Sequence, residues 1–430
     1  MIVPLDIKKV GHDINMYIHA PEDDIGVSKY IAENKVWEPY ETTIFCEILE
    51  GKSFFIDVGA NLGYYSLIAA KHFNNEGVVI SLEPEQNNYV LLKENIALNS
   101  LNNMSAIQVA CSDTIGQATI KKSDNNYGDH RVEIDQVNKG IDSIETTTVD
   151  ALIRRENKIP DVIKIDTQGS ELSILYGMHE LLENLTENTL IILEYWPHGI
   201  VDRGQSPRGL LDYLEKFELD MLIMHEETSV ISQCDLEDLR RWTKTILKPE
   251  SEHYVNLIFG KKSNRDIIKL KEKFTAKVEP FQFNKIYSSI SNQRLNSALN
   301  PIGWSYPEEH GVWNNGHYAE MEIRDVYFDK ENRDYYLKLN IYPFLAEGKI
   351  LFQRVKIRVN NNEVGEYKLD RMEMKELKIT LPERVLLTNE GVLTVSFEFL
   401  DSHCPKEYEL SSDARLLSIL LNGYGIYCTA

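Results

Sequence analysis

Between residues 53 and 262, seven apolar runs of strand length alternate with helical patterns, and this alternation constrains the fold more than any other feature. The runs cover 53–58, 78–82, 106–110, 162–166, 190–195, 221–224 and 254–259. Apolar runs without polar interruption suit strands buried on both faces, as in a parallel sheet covered by helices. Between them, 86–98 places Val90, Leu91, Ile96 and Leu98 in an amphipathic helix. The stretch 170–185 does the same with Leu172, Leu175, Met178 and Leu182. Strand and helix in turn predict a doubly wound α/β domain, whose ligands bind beyond the carboxyl ends of the strands.

The texture changes after 262. The stretch 263–300 is polar and mixed and reads as a connector. From 301 to 430 short alternating runs such as 335–341, 355–359 and 393–399 predict strands. Asn360-Asn361-Asn362 reads as a hairpin turn, because Asn tolerates left-handed φ. The expected organisation is thus an α/β domain over 1–262, a connector over 263–300 and an all-β sandwich over 301–430.

Charge and cysteine usage narrow the function. Lys and Arg number 46 against 67 Asp and Glu, a net charge of −21, which argues against nucleic acid as the main partner. Cys46, Cys111, Cys234, Cys404 and Cys428 are scattered and form no CxxC pair, so reduced thiols are expected and no disulfide or zinc frame. The N-terminus lacks a cationic flank before an apolar run, and no apolar stretch approaches about 20 residues. A cytoplasmic protein with no membrane span is expected.

The most informative segment is Asp57-Val58-Gly59-Ala60-Asn61-Leu62-Gly63, where an apolar strand turns sharply into a helix. Gly59 and Gly63 permit the turn and a close backbone approach to a ligand. A dinucleotide fingerprint would need Gly where Asn61 and Tyr64 stand, and a P-loop would need Gly where Cys46 stands. The second strand ends in Glu83-Pro84-Glu85, and a carboxylate there can accept hydrogen bonds from ribose hydroxyls. The alternative is that Glu83 caps the next helix.

These residues, with Cys111-Ser112-Asp113 and Lys164-Ile165-Asp166-Thr167-Gln168-Gly169-Ser170-Glu171, resemble FkbM-type methyltransferases over roughly 37–262. One departure is Gln168, where that family usually carries Glu. The resemblance implies a Rossmann-like, seven-stranded class I methyltransferase domain that uses S-adenosyl-L-methionine, mostly for O-methylation of sugars and natural products. It implies that Asp57, Gly59, Asn61 and Gly63 surround the amino-acid end of the cofactor. Glu83 would hold the ribose and Asp113 would lie near the adenine. Asp166 would face the methyl group and acceptor, and Glu38 matches a family glutamate ahead of the first strand.

Methyl transfer to a sugar hydroxyl gains from a base that takes the hydroxyl proton. Candidates near the strand ends are Asp166, Glu194 and His198, with His225 a weaker one; the segment Asn126-Tyr127-Gly128-Asp129-His130-Arg131 adds His130 and resembles an Asn-x-Gly-Asp element of the family. Asp166 could instead cap the helix after it, and Glu194 needs a partner of some kind because an unpaired buried carboxylate is costly. No compact ligand motif supports a metal site.

The segments 303–313 and 411–416 resemble a β-sandwich module attached to some bacterial glycosyltransferases. Trp304 and Trp313 either stack on sugar faces, with Glu308, Asp413 or Arg415 bonding hydroxyls, or serve the core. The expected activity is O-methylation of a bacterial glycan or activated sugar of the capsule or O-antigen type. Alternatives are a lipid or secondary-metabolite O-methyltransferase, a non-catalytic glycan-binding protein and a nicotinamide oxidoreductase.

Overall fold

A computed structural model describes residues 1–7, 13–74, 76–121, 127, 131–133, 143–225, 230–246, 254–274, 281–288, 295, 298–299, 303–308, 310–329, 334–387, 391–411, 413 and 415–428. Contacts group the chain into two units, one of 1–236 with 252–272 and one of 237–251 with 273–430.

The first unit is built on an eight-stranded sheet. Its spatial order is Val230–Gln233, Leu219–His225, Val255–Lys261, Leu190–Tyr195, Val162–Ile165, Phe54–Val58, Val78–Leu82, Met104–Ile107. The strand count of seven is therefore corrected to eight, the extra one being the edge strand Val230–Gln233. The sheet is also mixed. The five strands from Met104–Ile107 to Leu190–Tyr195 are parallel, whereas Val255–Lys261 runs antiparallel to both of its neighbours. An apolar run reports burial on both faces but not direction, so this reversal had no sequence signal.

Strand Phe54–Val58 lies between Val78–Leu82 and Val162–Ile165, so the chain winds outward from it in both directions. Ligand crevices form at such a switch point. Helix Gln86–Leu98 forms where expected but buries Asn88, Leu92 and Asn95 and leaves Val90 exposed, while the helix expected over 170–185 is broken into Glu171–Tyr176 and His179–Glu183. An insertion after the third strand makes a small separate sheet of Ala110–Cys111, Ser143–Thr147, Gly116–Lys121 and Arg131–Glu133.

The segment after 262 begins with the helix Arg265–Phe274. Asn264 caps it, accepting from the Asp266 and Ile267 amides, and its own Nδ2 donates to Thr189 O at 3.0 Å. Lys52 Nζ lies 2.6 Å from Asp266 Oδ2, and Ile267 and Leu270 are buried. A chain ending at 262 loses a cap worth about 1 kcal/mol and two side chains worth roughly 1.5–3 kcal/mol each. Fragment 1–274 should accordingly melt well above fragment 1–262 by calorimetry; equal melting would show that this helix adds nothing to the first unit.

Residues 237–246 of the second unit belong to the helix Leu236–Ile246, and the strands described in this unit all pair antiparallel. Trp304–Glu308, Gly311–Asn314, Ile419–Cys428, Tyr335–Pro343 and Lys375–Thr380 form one sheet, with Tyr287–Ser288 paired to Ile419–Cys428. Tyr318–Val326, Gly391–Phe399, Gln353–Val359 and Asn362–Leu369 form the other. Alternate residues of Tyr335–Pro343 and Gln353–Val359 are buried, and both sheets feed one apolar cluster. Asn360 and Asn361 take φ of 46° and 63° in the tight turn between two strands.

Trp304 is 4% exposed, packs on Phe397 and donates to Glu320 O at 2.9 Å, so it is a core residue and not a sugar platform. Arg415 donates to Asp413, to Glu308 Oε1 at 2.9 Å and to Ser305 Oγ, which commits that charged set to holding Asp413 and Arg415 against the strand Trp304–Glu308. Trp313 is half-buried and meets Phe344 edge-on.

Candidate functional site

Strand Phe54–Val58 is buried throughout and delivers the chain into the turn 59–63. Gly59 has φ +83°, and a Cβ there would lie 2.0 Å from Asp166 O. Only glycine lets the ends of the strands Phe54–Val58 and Val162–Ile165 approach this closely. Gly63, with φ +90°, is the N-cap of helix Tyr64–His72, and a Cβ there would meet Leu92 Cδ1 at 2.4 Å. Gly63 lines neither cavity described below, so its part is to make the turn.

Glu83 fastens the turn to the second strand. Its Oε2 accepts from the Asn61 amide and its Oε1 from the Glu85 amide, both at 2.8 Å. The cap of helix Gln86–Leu98 is Glu85, whose Oε2 accepts from the Asn87 and Asn88 amides. Glu83 is left beside a cavity of about 50 Å³ whose other walls include Pro84, Asn88, Tyr127 and residues 109–111. Tyr127 is pinned there: its amide donates to Asp24 Oδ1 at 3.2 Å, its carbonyl accepts from Asn88 Nδ2 at 3.0 Å, and His19 meets its ring edge-on.

Asp113 does not take the place expected of it. It is exposed, accepts from Ser112 Oγ and Thr114 Oγ1, and lines neither cavity. The sheet strand stops at Ile107 and the chain enters the small sheet at Ala110, so the wall is made by Val109, Ala110 and Cys111.

A second cavity, of about 350 Å³, adjoins the first through Gly59, Asn61, Asp166 and Gln168, which line both. Trp37, Tyr64, Tyr65, Trp196 and Tyr254 supply aromatic surface; Glu38, Asp57, Asp166 and Glu194 supply carboxyls; Lys164 is the cation among its lining residues. Glu38 has φ +41° at the N-cap of helix Pro39–Ile48 and accepts from Tyr65 Oη at 2.8 Å.

Lys164 organises the acids. Its Nζ lies 2.9 Å from Asp166 Oδ2, 3.7 Å from Glu41 Oε1 and 4.6 Å from the Tyr65 ring centroid. Burial alone would pull the ammonium down, but Asp166, Glu41 and Glu38 outweigh it and hold Lys164 well above the usual lysine range. Glu41 also accepts from Asn256 Nδ2, reached through the antiparallel strand Val255–Lys261. Asp166 is thus engaged by Lys164 and does not cap the helix Glu171–Tyr176, which has no side-chain cap. Glu194 accepts from Gln168 Nε2 at 3.1 Å, and burial, then Asp166 and Glu171, push it well above the usual carboxyl range.

His198 is half-buried in helix Pro197–Asp202 and lines neither cavity. His130, with Asn126, Gly128 and Asp129, lies outside the described residues, and His225 ends the strand Leu219–His225. Among the described residues no cluster of three or more His, Cys, Asp or Glu has the arrangement of a metal site. Lys164, Glu41, Trp37, Trp196 and Tyr254 were missed as site residues. Lys164 is the one with a signal, since a lysine within an otherwise apolar strand needs a partner.

Burial pushes Asp57 up to about 6, against a 2.6 Å hydrogen bond from Ser66 Oγ, and Glu83 up to about 7. Both carboxyls hold protons in the folded state that the unfolded chain gives up near pH 4. Their contribution to stability is therefore present below about pH 4 and lost as pH rises to about 7. The melting temperature of the ligand-free protein should fall across pH 5–7.5, and less steeply in Glu83→Gln. Parallel profiles would contradict the assignment to Glu83.

Residues 57–218 match the family described as Methyltransferase FkbM domain. The chain is similar to the methyltransferase sdnD of Sordaria araneosa, 25% identical over 184 residues that cover 35% of this chain and 70% of that protein. Among solved structures it is similar to methyltransferase FkbM from Methylobacillus flagellatus, with 15% identity and a TM-score of 0.32. That match covers 48% of this chain and 43% of the other, so the chain spans under half of that relative's length. It is also similar to an O-methyltransferase from Bacillus cereus in complex with SAH, with 15% identity, a TM-score of 0.29 and coverage of 51% and 80%. No helix among the described residues is long and apolar enough to cross a membrane.

Proposed function

We propose that residues 57–218, which match the Methyltransferase FkbM domain, act as a methyltransferase domain that transfers the methyl group of S-adenosyl-L-methionine to a hydroxyl of a sugar or glycan. The observation that carries this reading is the position of Asp166. It lines both cavities, at the junction between the Glu83 end and the aromatic, carboxyl-rich end.

The residues present fit the cofactor. Glu83 is placed to accept from ribose hydroxyls, and Asn61 lines both cavities with its Oδ1 buried and without a protein partner. The carboxyl excess of the larger cavity complements a ligand with a cationic sulfur and an ammonium group. When bound, the cofactor supplies an electrophilic methyl group. The chain then holds the acceptor oxygen in line with that methyl, which is where much of the rate of such a displacement arises.

The aromatic surfaces of Trp37, Trp196 and Tyr254 suit the faces of a sugar ring, and the carboxyls suit its hydroxyls. Asp166, held by Lys164, takes the proton of the attacking hydroxyl as the base, and Glu194 hydrogen-bonds the acceptor beside it. Because the lining is anionic, the bound portion of the acceptor is an uncharged sugar even where the whole molecule is an activated one.

The test is incubation of the full chain with methyl-tritiated S-adenosylmethionine and a panel of neutral oligosaccharides. Label in the sugar fraction that survives alkali, as a methyl ether does, is expected. Label confined to alkali-labile esters or to amines would contradict the reading.

A further inference from the structure

Gln168 stands where the resembled family usually has glutamate, and its surroundings are built to hold it. Its backbone takes φ +55°, a conformation that non-glycine residues adopt only when their surroundings impose it. The neighbouring backbone is fixed by Glu171, whose Oε1 accepts from the Thr167 amide, Thr167 Oγ1 and the Gly169 amide at 3.0–3.2 Å. Gly169 has φ +102°, and a Cβ there would strike Gly199 O at 2.3 Å, so the loop cannot shift toward helix Pro197–Asp202. From this fixed base, Gln168 Nε2 donates to Asp166 Oδ1 and to Glu194 Oε2, each at 3.1 Å. Asp166 uses its other oxygen for Lys164.

We propose that Gln168 is a positioning residue: its side-chain amide joins Asp166 and Glu194 into one hydrogen-bonded unit at the acceptor cavity. It rests on the methyltransfer reading above for its purpose, but not for its geometry. An amide can give an N–H to each of two carboxyls; a glutamate at 168 would place a third carboxyl within hydrogen-bond reach of both. Three such groups so close cannot all ionise, and one would take up a proton. Glu194, faced by Asp166, Glu171, Lys164, Glu38 and Tyr254, is pushed well above the usual carboxyl range by burial and then by Asp166 and Glu171, whereas Asp166 is paired with Lys164. With Gln at 168 neither carboxyl gains a further acid beside it.

The experiment is an infrared pH titration of the carboxyl bands of the full-length, ligand-free protein, in wild type, Glu194→Gln, Gln168→Glu and Gln168→Met. Wild type should show a protonated carboxyl near pH 7 that disappears in Glu194→Gln. Gln168→Glu should hold one more protonated carboxyl at pH 7 than wild type. An unchanged number would overturn the proposal. If Gln168→Glu does not fold, Gln168→Met decides: loss of the amide should shift the Glu194 band, and an unshifted band would overturn the proposal. Calorimetry of S-adenosylmethionine in buffers of different ionisation enthalpy separates this from the functional reading. Gln168→Glu should release about one more proton on binding than wild type. If wild type binds no S-adenosylmethionine while the infrared result holds, the clamp stands and the methyltransfer reading fails.

Discussion

Replacing Lys164 with methionine is expected to cost the first unit about 3–5 kcal/mol of folding stability, the range for breaking a buried pair by removing one partner. The Lys164 side chain is 4% exposed and Glu41 is 1% exposed, so neither charge can turn to water. Without the ammonium, Glu41 keeps the hydrogen bond from Asn256 but loses Lys164, and Asp166 loses its 2.9 Å partner. Urea unfolding at pH 8 measures the loss. A loss under about 1 kcal/mol at pH 8 would mean that the lysine does not hold these acids together.

Asparagine at 166 is expected to lower turnover by about 10²–10⁴-fold, roughly 2.7–5.5 kcal/mol in the barrier, because it removes the proposed base and keeps the shape. Cofactor affinity should change far less, since the Glu83 end of the site is untouched. His198→Ala, at a residue that lines neither cavity, should stay close to wild-type turnover. Turnover is read as transfer of methyl label to acceptor, with cofactor binding measured in parallel by calorimetry. Near-wild-type turnover in Asp166→Asn would move deprotonation elsewhere. Parallel loss of binding and turnover would place Asp166 in the cofactor pocket alone.

What could be read from the sequence was local. The Gly59–Gly63 turn and the carboxyl ending the second strand are each set by residues adjacent in sequence. Their positive φ values and strand-end placement follow from that short range. Asp113 failed for an equally local reason: two residues decide which side of a strand end reaches the crevice, and the break after Ile107 has no composition signal. Lys164 stands within a recognisable motif, yet its importance depends on Glu41, a residue 123 positions away in sequence that only packing brings to it. Trp196 and Tyr254 enter the cavity by the same kind of long-range placement, the latter beside an antiparallel strand whose direction an apolar run does not encode. In the second unit, alternation revealed the strands, but not that Arg415 would spend its donors on Asp413, Glu308 and Ser305.

Whether the paired cavities hold S-adenosylmethionine with Glu83 at one end is decided by titration calorimetry. S-adenosylmethionine and NAD are titrated separately into full-length wild type and Glu83→Ala. S-adenosylmethionine should bind wild type, and binding should weaken about 10- to 150-fold in Glu83→Ala, which corresponds to about 1.5–3 kcal/mol for hydrogen bonds to a charged group. NAD should show no comparable uptake. Tight NAD binding with no heat from S-adenosylmethionine would contradict this reading.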